Sequence, residues 1–177
     1  MLDIRTANTS ETARVSLAAG DRTFAIPVKL QTPVQNGSLD VRALLTGSDP
    51  DAERFSDILT VDLTAASTQP MIYRRGPVTG NRLLPAANFQ FSRTERAHFE
   101  FPVGAEVKAT RARLLDKTGQ PLTIPVATGE RTDDQSQRWL TADLTLAALA
   151  AGDYALEIAM NNAGAERKVV TAIRVGR

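Results

Sequence analysis

The chain contains no cysteine. Disulfide staples, zinc ribbons, iron–sulfur clusters and thiol nucleophiles are therefore excluded in one step. Histidine occurs once, at His98, so no site can be built from several imidazoles, and any Ser-His-Asp arrangement has a single residue to draw on. Aromatic residues make up 5% of the chain, too few for a platform that stacks single-stranded nucleic acid. Charge of one sign is missing too. With 21 Lys+Arg against 20 Asp+Glu, the net +1 provides neither a basic field for nucleic acid or anionic lipid nor an acidic tail. The longest uncharged stretches, residues 63–73 and 118–129, fall short of the roughly 20 residues that a membrane span requires. The opening MLDIRTANTSETARV carries Asp3, Arg5, Glu11 and Arg14 without an apolar core, so the expectation is no signal peptide in this chain and no membrane insertion.

What is present is alternation. The 177 residues, 42% of them hydrophobic, suffice for one generous domain or two small ones. Residues 24–30 read FAIPVKL, with Phe24, Ile26, Val28 and Leu30 in one phase. Asn36-Gly37 then supplies a type I′ hairpin signal, because both central positions of that turn need positive φ. LDVRALL follows, with Leu39, Val41, Ala43 and Leu45 in phase. Registered on Asn36-Gly37, the hairpin pairs Val34 with Leu39, Leu30 with Ala43 and Val28 with Leu45. Pro27 and Pro33 cannot donate to a ladder and place the first arm at an edge. A third strand is expected over residues 58–63, after the polar loop GSDPDAERFSD. TAASTQP, at residues 64–70, reads as a linker or an inter-sheet crossing.

Beyond it the alternation resumes. Phe89 and Phe91 are in phase. Ala97, Phe99, Phe101 and Val103 share a face, with His98 and Glu100 on the other. Strands over residues 107–115 and 122–126 flank a DKTGQ turn, and another is expected over residues 139–144, with Trp139 a core residue. LTLAALAAG, at residues 144–152, is too short for a helix and reads as a one-turn crossing. Tyr154, Leu156, Ile158 and Met160 alternate, an NNAG turn follows, and Val169, Thr171, Ile173 and Val175 alternate in a closing strand. Regularly spaced strands with few helices predict an all-β chain of β-sandwich type. Leu149-Ala-Ala-Gly-Asp-Tyr154 has the spacing of a tyrosine corner, which refines this to immunoglobulin- or fibronectin-III-like sandwich units. Two are expected: residues 1–66, short and either truncated or packed on the next, and residues 69–177, with seven or eight strands.

Candidate chemistry is sparse. His98 would serve as a general base only with a nucleophile and an orienting carboxylate converging on it, and no G-x-S-x-G elbow occurs. The expectation is a solvent-facing strand histidine. Asp49, Asp51, Glu53 and Asp57 offer oxygen ligands for a hard cation but lack the EF-hand spacing and its turn glycine. Glu130, Asp133 and Asp134 lie beside Arg131 and Arg138, which can neutralise them. Arg74-Arg75-Gly76 with Arg93 and Arg96 could contact an anion, although such arginines more often pair with local acids, here Glu95 or Glu100. No Gly-rich phosphate loop opens a helix, so nucleotide binding has no support. A carbohydrate- or small-ligand-binding face would need exposed aromatics, for which Trp139 and Tyr73 are the available donors. The residues thus give no catalytic, cofactor-binding or metal position, and a non-enzymatic structural or protein-interaction module accounts for every strong feature.

Arg74-Arg75-Gly76-Pro77-Val78-Thr79-Gly80, Phe91-Ser-Arg-Thr-Glu-Arg96, Gly129-Glu-Arg-Thr-Asp133, Arg138-Trp139, Gly152-Asp-Tyr154 and Thr171-Ala-Ile-Arg-Val175 form a set. Together they resemble the C-terminal region of the large bacterial VWFA-related domain proteins abundant in Acidobacteria. The resemblance covers residues 70–177 well and the first 65 loosely, and carries over no functional residue. Members of that family have an export signal, an N-terminal von Willebrand factor A-like domain and a β-rich tail. The resemblance therefore implies that this chain is the C-terminal part of a longer extracytoplasmic protein, secreted or periplasmic. Its partner would be protein: itself, the upstream domain or an envelope component. The family's D-x-S-x-S adhesion motif does not occur in this sequence.

Overall fold

Period-two alternation sets the architecture. In the computed structural model the chain is built from β-strands, with a single 3-10 turn as its only helical element among the described residues. The structure describes all residues except 1, 6–9, 19–23, 25, 27, 29–37, 48, 50, 52, 63–69, 135 and 177, and gives the backbone alone for residues 2–5 and 62. The chain divides into two compact units, Met1–Ser67 and Thr68–Arg177.

The first unit holds β1 (Leu2–Arg5), β2 (Ser10–Ala13), β3 (Ser38–Leu45) and β4 (Phe55–Asp62), in one antiparallel sheet of order β2-β1-β3-β4. Leu39, Val41 and Ala43 fall on one side of β3, as alternation requires, and are half-buried. Ala43 lies between Leu2 of β1 and Asp57 of β4, and Leu45 lies opposite Phe55. Phe24, Ile26 and Val28 are not in a strand, while Leu30, Val34 and the Asn36-Gly37 turn lie outside the described residues. β4 begins at Phe55, inside the stretch expected to be loop. No described residue of this unit is buried, and Phe55, Ile58 and Leu59 are more than half exposed.

The second unit contains β5 (Met71–Arg75), a 3-10 turn (Pro77–Thr79), β6 (Leu84–Pro85), β7 (Gln90–Phe91), β8 (Arg96–Val103), β9 (Lys108–Asp116), β10 (Ala127–Thr132), β11 (Arg138–Thr145), β12 (Gly152–Asn162) and β13 (Ala165–Val175). They form a five-stranded sheet, β10-β11-β8-β5-β6, and a four-stranded sheet, β7-β13-β12-β9. Every pairing is antiparallel except the short parallel one between β7 and β13. Alternate residues of the two sheets meet in one core. Ala97, Phe99 and Phe101 of β8 and Leu140, Ala142 and Leu144 of β11 face Leu114, Leu156, Ile158, Ile173 and Val175. Full burial of each large side chain contributes about 1.5–3 kcal/mol.

Local chemistry fixes the connections. Asp116 Oδ1 accepts the amides of Thr118 and Gln120 at 2.8 and 2.9 Å, and Gly119 takes a φ of 82° that a Cβ would disfavour. The expected strand over residues 122–126 does not form. Pro121 precedes it and Pro125 lies within it, and neither can donate, so the segment is tied only at its start by the Leu115–Pro121 bridge, while Leu122, Ile124 and Val126 pack on the core. Phe89 and Phe91 part company across the edge pairing of β7: Phe91 is buried and Phe89 half exposed. Residues 144–152 make the expected single turn, closed by Leu149 N–H to Leu146 O at 3.0 Å. The Tyr154 hydroxyl donates to Ala150 O at 2.9 Å, tying that crossing to the start of β12. Removing this bond in Tyr154→Phe is expected to cost about 1 kcal/mol, and Phe99→Ala about 3–5 kcal/mol. Both should appear as lowered denaturant midpoints with unchanged slope, the second shift being the larger.

Candidate functional site

The outer face of the five-stranded sheet carries the densest polar chemistry. Core residues of β8 are odd-numbered, so His98, Glu100 and Pro102 point outward. The register places Tyr73, His98 and Asp143 in one cross-strand row, and Met71, Glu100, Thr141 and Gly129 in the next. A third row aligns Pro102, Trp139 and Arg131. Gly129 fits closely here, since a Cβ would sit 3.0 Å from the Thr141 hydroxyl.

Glu100 is the hub. It is 4% exposed, between Phe99 and Phe101 in sequence, and a bare carboxylate there would be costly. Arg131 meets it with both faces of its fork, Nε to Oε1 at 2.7 Å and Nη2 to Oε2 at 2.6 Å. The same guanidinium lies 5.0 Å from the centre of the Trp139 ring, whose indole N–H donates to Asp133 Oδ2 at 2.9 Å. His98 is held between two carboxylates, Nδ1 to Asp143 Oδ1 at 2.9 Å and Nε2 to Glu100 Oε1 at 3.2 Å. A neutral imidazole has one N–H and the cation two, so only the doubly protonated ring donates to both. Tyr73 packs its ring 6.0 Å from that of His98.

Burial opposes ionisation of Glu100, yet the hydrogen bonds and charges of Arg131 and His98 outweigh it and hold the carboxyl below its ordinary value. Burial, and then the negative charge of Glu100, push the Tyr73 phenol above its ordinary value.

His98 has the outward phase expected of it but is not a free surface histidine: its side chain is 15% exposed and both nitrogens are engaged. Among the described residues no hydroxyl bonds to it. Trp139 is also outward, not in the shared core, and Arg131 and Asp133 bury it to 9% exposure. Glu130 lies in β10 and pairs with Arg138 at 2.7 Å, whereas Arg131 reaches Glu100 instead of its neighbours. Asp49 accepts the amide of Asp51, and Asp57 that of Ile58. Among the described residues no group of three or more such ligands comes together to hold a metal ion. Arg74 takes Glu95 at 3.5 Å, and Arg93 donates to Ala147 O at 2.8 Å. Sequence reasoning missed the Glu100–Arg131 clamp. Its signal was a glutamate between two core phenylalanines, which must find a cation from elsewhere in the sheet. No helix among the described residues is long and apolar enough to cross a membrane.

No protein-family model, curated protein or solved structure matches the chain.

Because Glu100 is depressed in the folded state, its stabilising contribution is complete above the ordinary glutamate value and is lost as pH falls through the folded one. Below about pH 4.3, Glu100→Gln should therefore lose stability less steeply than the parent chain, and coincident slopes would contradict the clamp. Arg131→Ala should cost about 2 kcal/mol at neutral pH, read by urea denaturation.

Proposed function

We propose that the chain is a non-enzymatic structural or protein-interaction module whose second unit is an immunoglobulin-like sandwich. In this reading β5, β8, β11 and β10 correspond to strands A, B, E and D, and β9, β12 and β13 to C, F and G. The Tyr154–Ala150 bond at the start of β12 supports it. Two departures stand beside that support. Cysteine is absent, and the tryptophan lies on β11, not β9. The fibronectin-III-like variant of the same reading draws on the same strands.

The open edge of β13 carries the interaction reading. Among the described residues only Arg174 and Val175 of β13 meet β7, and residues 165–173 pair with β12 on one side alone. Beside that edge lies a cleft of about 390 Å³ lined by Ile72, Phe89, Val169 and Val170, with Arg167 and Lys168 along it. Phe89 and Val170 are more than half exposed. An unpaired edge next to an apolar cleft suits an added strand, and the two cations favour a partner segment that carries acidic residues among apolar ones. The paired polar groups around His98 support a non-catalytic reading, since both imidazole nitrogens are already bonded to carboxylates. A carbohydrate- or small-ligand-binding face gains less support, because Arg131 covers Trp139.

The resemblance to VWFA-related proteins supports an extracytoplasmic setting as the C-terminal part of a longer protein. An upstream reading frame with an export signal and a D-x-S-x-S segment is expected, and a frame lacking both would overturn that part. For the partner, the immobilised chain should retain a protein from envelope extract of the source organism. The double variant Phe89→Ala, Val170→Glu should lose it at unchanged melting temperature, while Met71→Ala on the other sheet keeps it. Equal retention by all three would remove the edge from consideration.

A further inference from the structure

At the end of the same outer face two arginines oppose each other without a counter-charge. Arg75 of β5 and Arg96 of β8 are direct cross-strand partners. Directly opposed like charges destabilise a sheet, and proteins ordinarily relieve them with a nearby acid. Here the salt bridges among the described residues include neither side chain. The nearest acid in sequence, Glu95, is buried and committed to Arg74 and to the Ser92 amide at 2.6 Å. Between Met71 and Ala97 the chain holds five arginines and that single acidic residue, so the imbalance is local in a chain that is nearly neutral overall.

The surroundings are shaped as well as charged. Arg75, Gly76, Pro77, Asn81, Thr94 and Arg96 line a cleft of about 280 Å³. Arg75 is oriented in it. Its Nε donates to Asn81 O at 2.9 Å and to Asn81 Oδ1 at 3.0 Å, which leaves the two Nη groups unbonded. Asn81 holds this position from a left-handed φ of 61°, directly after Gly80 at 59°. The opposite wall includes Gly76, where a Cβ would fall 3.0 Å from Glu95 Cγ and 3.2 Å from Thr94 O, so the two loops approach closely there. Among the described residues the Arg96 side chain makes no hydrogen bond and no ion pair. Among the described residues one guanidinium is thus fixed by its backbone-side nitrogen and a second is unpartnered opposite it.

We propose that this cleft binds a tetrahedral oxyanion, phosphate or sulfate, either free or as the terminal group of a small molecule. Two guanidinium forks offer paired N–H donors that match such oxygens, and the doubly negative charge cancels the opposed pair. At roughly nine times the ~30 Å³ that a water occupies in the liquid, the cleft has room for the anion and a few attached atoms. The site goes beyond the interaction reading and stands independently of it, since it shares no residue with the β13 edge.

The test is calorimetric titration of the full chain with inorganic phosphate, sulfate and glycerol phosphate, ionic strength being balanced with sodium chloride. Saturable binding with a Kd of about 1 mM or below is expected for at least one probe. The tighter of inorganic phosphate and glycerol phosphate identifies the free or esterified form. Arg96→Gln and Arg75→Gln should each weaken binding about tenfold or more, whereas Arg82→Gln, exposed nearby but outside the cleft, should leave it unchanged. In the absence of anion Arg96→Gln should raise the melting temperature, because it removes the opposed charge. No saturable binding, an equal loss in Arg82→Gln, or a lowered melting temperature in anion-free Arg96→Gln would overturn the proposal.

Discussion

The structure of residues 68–177 depends on one commitment: each strand gives one alternate set of side chains to the core between two sheets. Phe99, Leu140, Leu114 and Leu156 are almost fully buried because β8, β11, β9 and β12 make that commitment together. Once it is made, every other residue of those strands is fixed on an outer face. Glu100 and Glu157 illustrate the consequence. Both are buried glutamates on outer faces, and each draws an arginine from another strand of its sheet, Arg131 of β10 across β11 and Arg113 of the adjacent β9, at 2.7 Å. The ion pairs follow from the packing, since a carboxylate fixed beside apolar neighbours must be paired or protonated.

Electrostatics on the two ends of the five-stranded sheet then differ in kind. Around Glu100 the charges close on one another: His98 bridges two carboxylates, and Arg131 is shared between a carboxylate and the Trp139 ring. At Arg75 and Arg96 they do not close. The difference lies in which residues the register sets opposite one another, not in the composition of either strand.

The two units also differ in how far they bury what alternates. β3 shows the same period of two as β8, yet Leu39 and Val41 remain half-buried where Phe99 and Phe101 are sealed. Alternation specifies a face, but a second layer is needed to cover it. Within the second unit, proline has the corresponding influence on edges: residues 121–125 supply core side chains without forming a ladder.

Much of this was legible in the chain. The strands over β8, β9, β11, β12 and β13, the DKTGQ and NNAG turns and the one-turn crossing before Tyr154 follow from local chemistry, because alternation, glycine and Asx turns act over a few residues. The outward phase of His98 was legible for the same reason. The partners were not. Local sequence puts Leu39, Val41 and Ala43 in one phase, but does not say that β3 lies between β1 and β4. It makes Arg131 a neighbour of Glu130, but β10 aligns it with Trp139 and Glu100. It makes Trp139 a core residue, but the register with Pro102 turns it outward. The sequence by itself determined that the chain is all-β and which residues share a face. Only the tertiary structure decided which faces meet and which charges find counter-charges, because lateral order in a sheet is settled by long-range closure of the core.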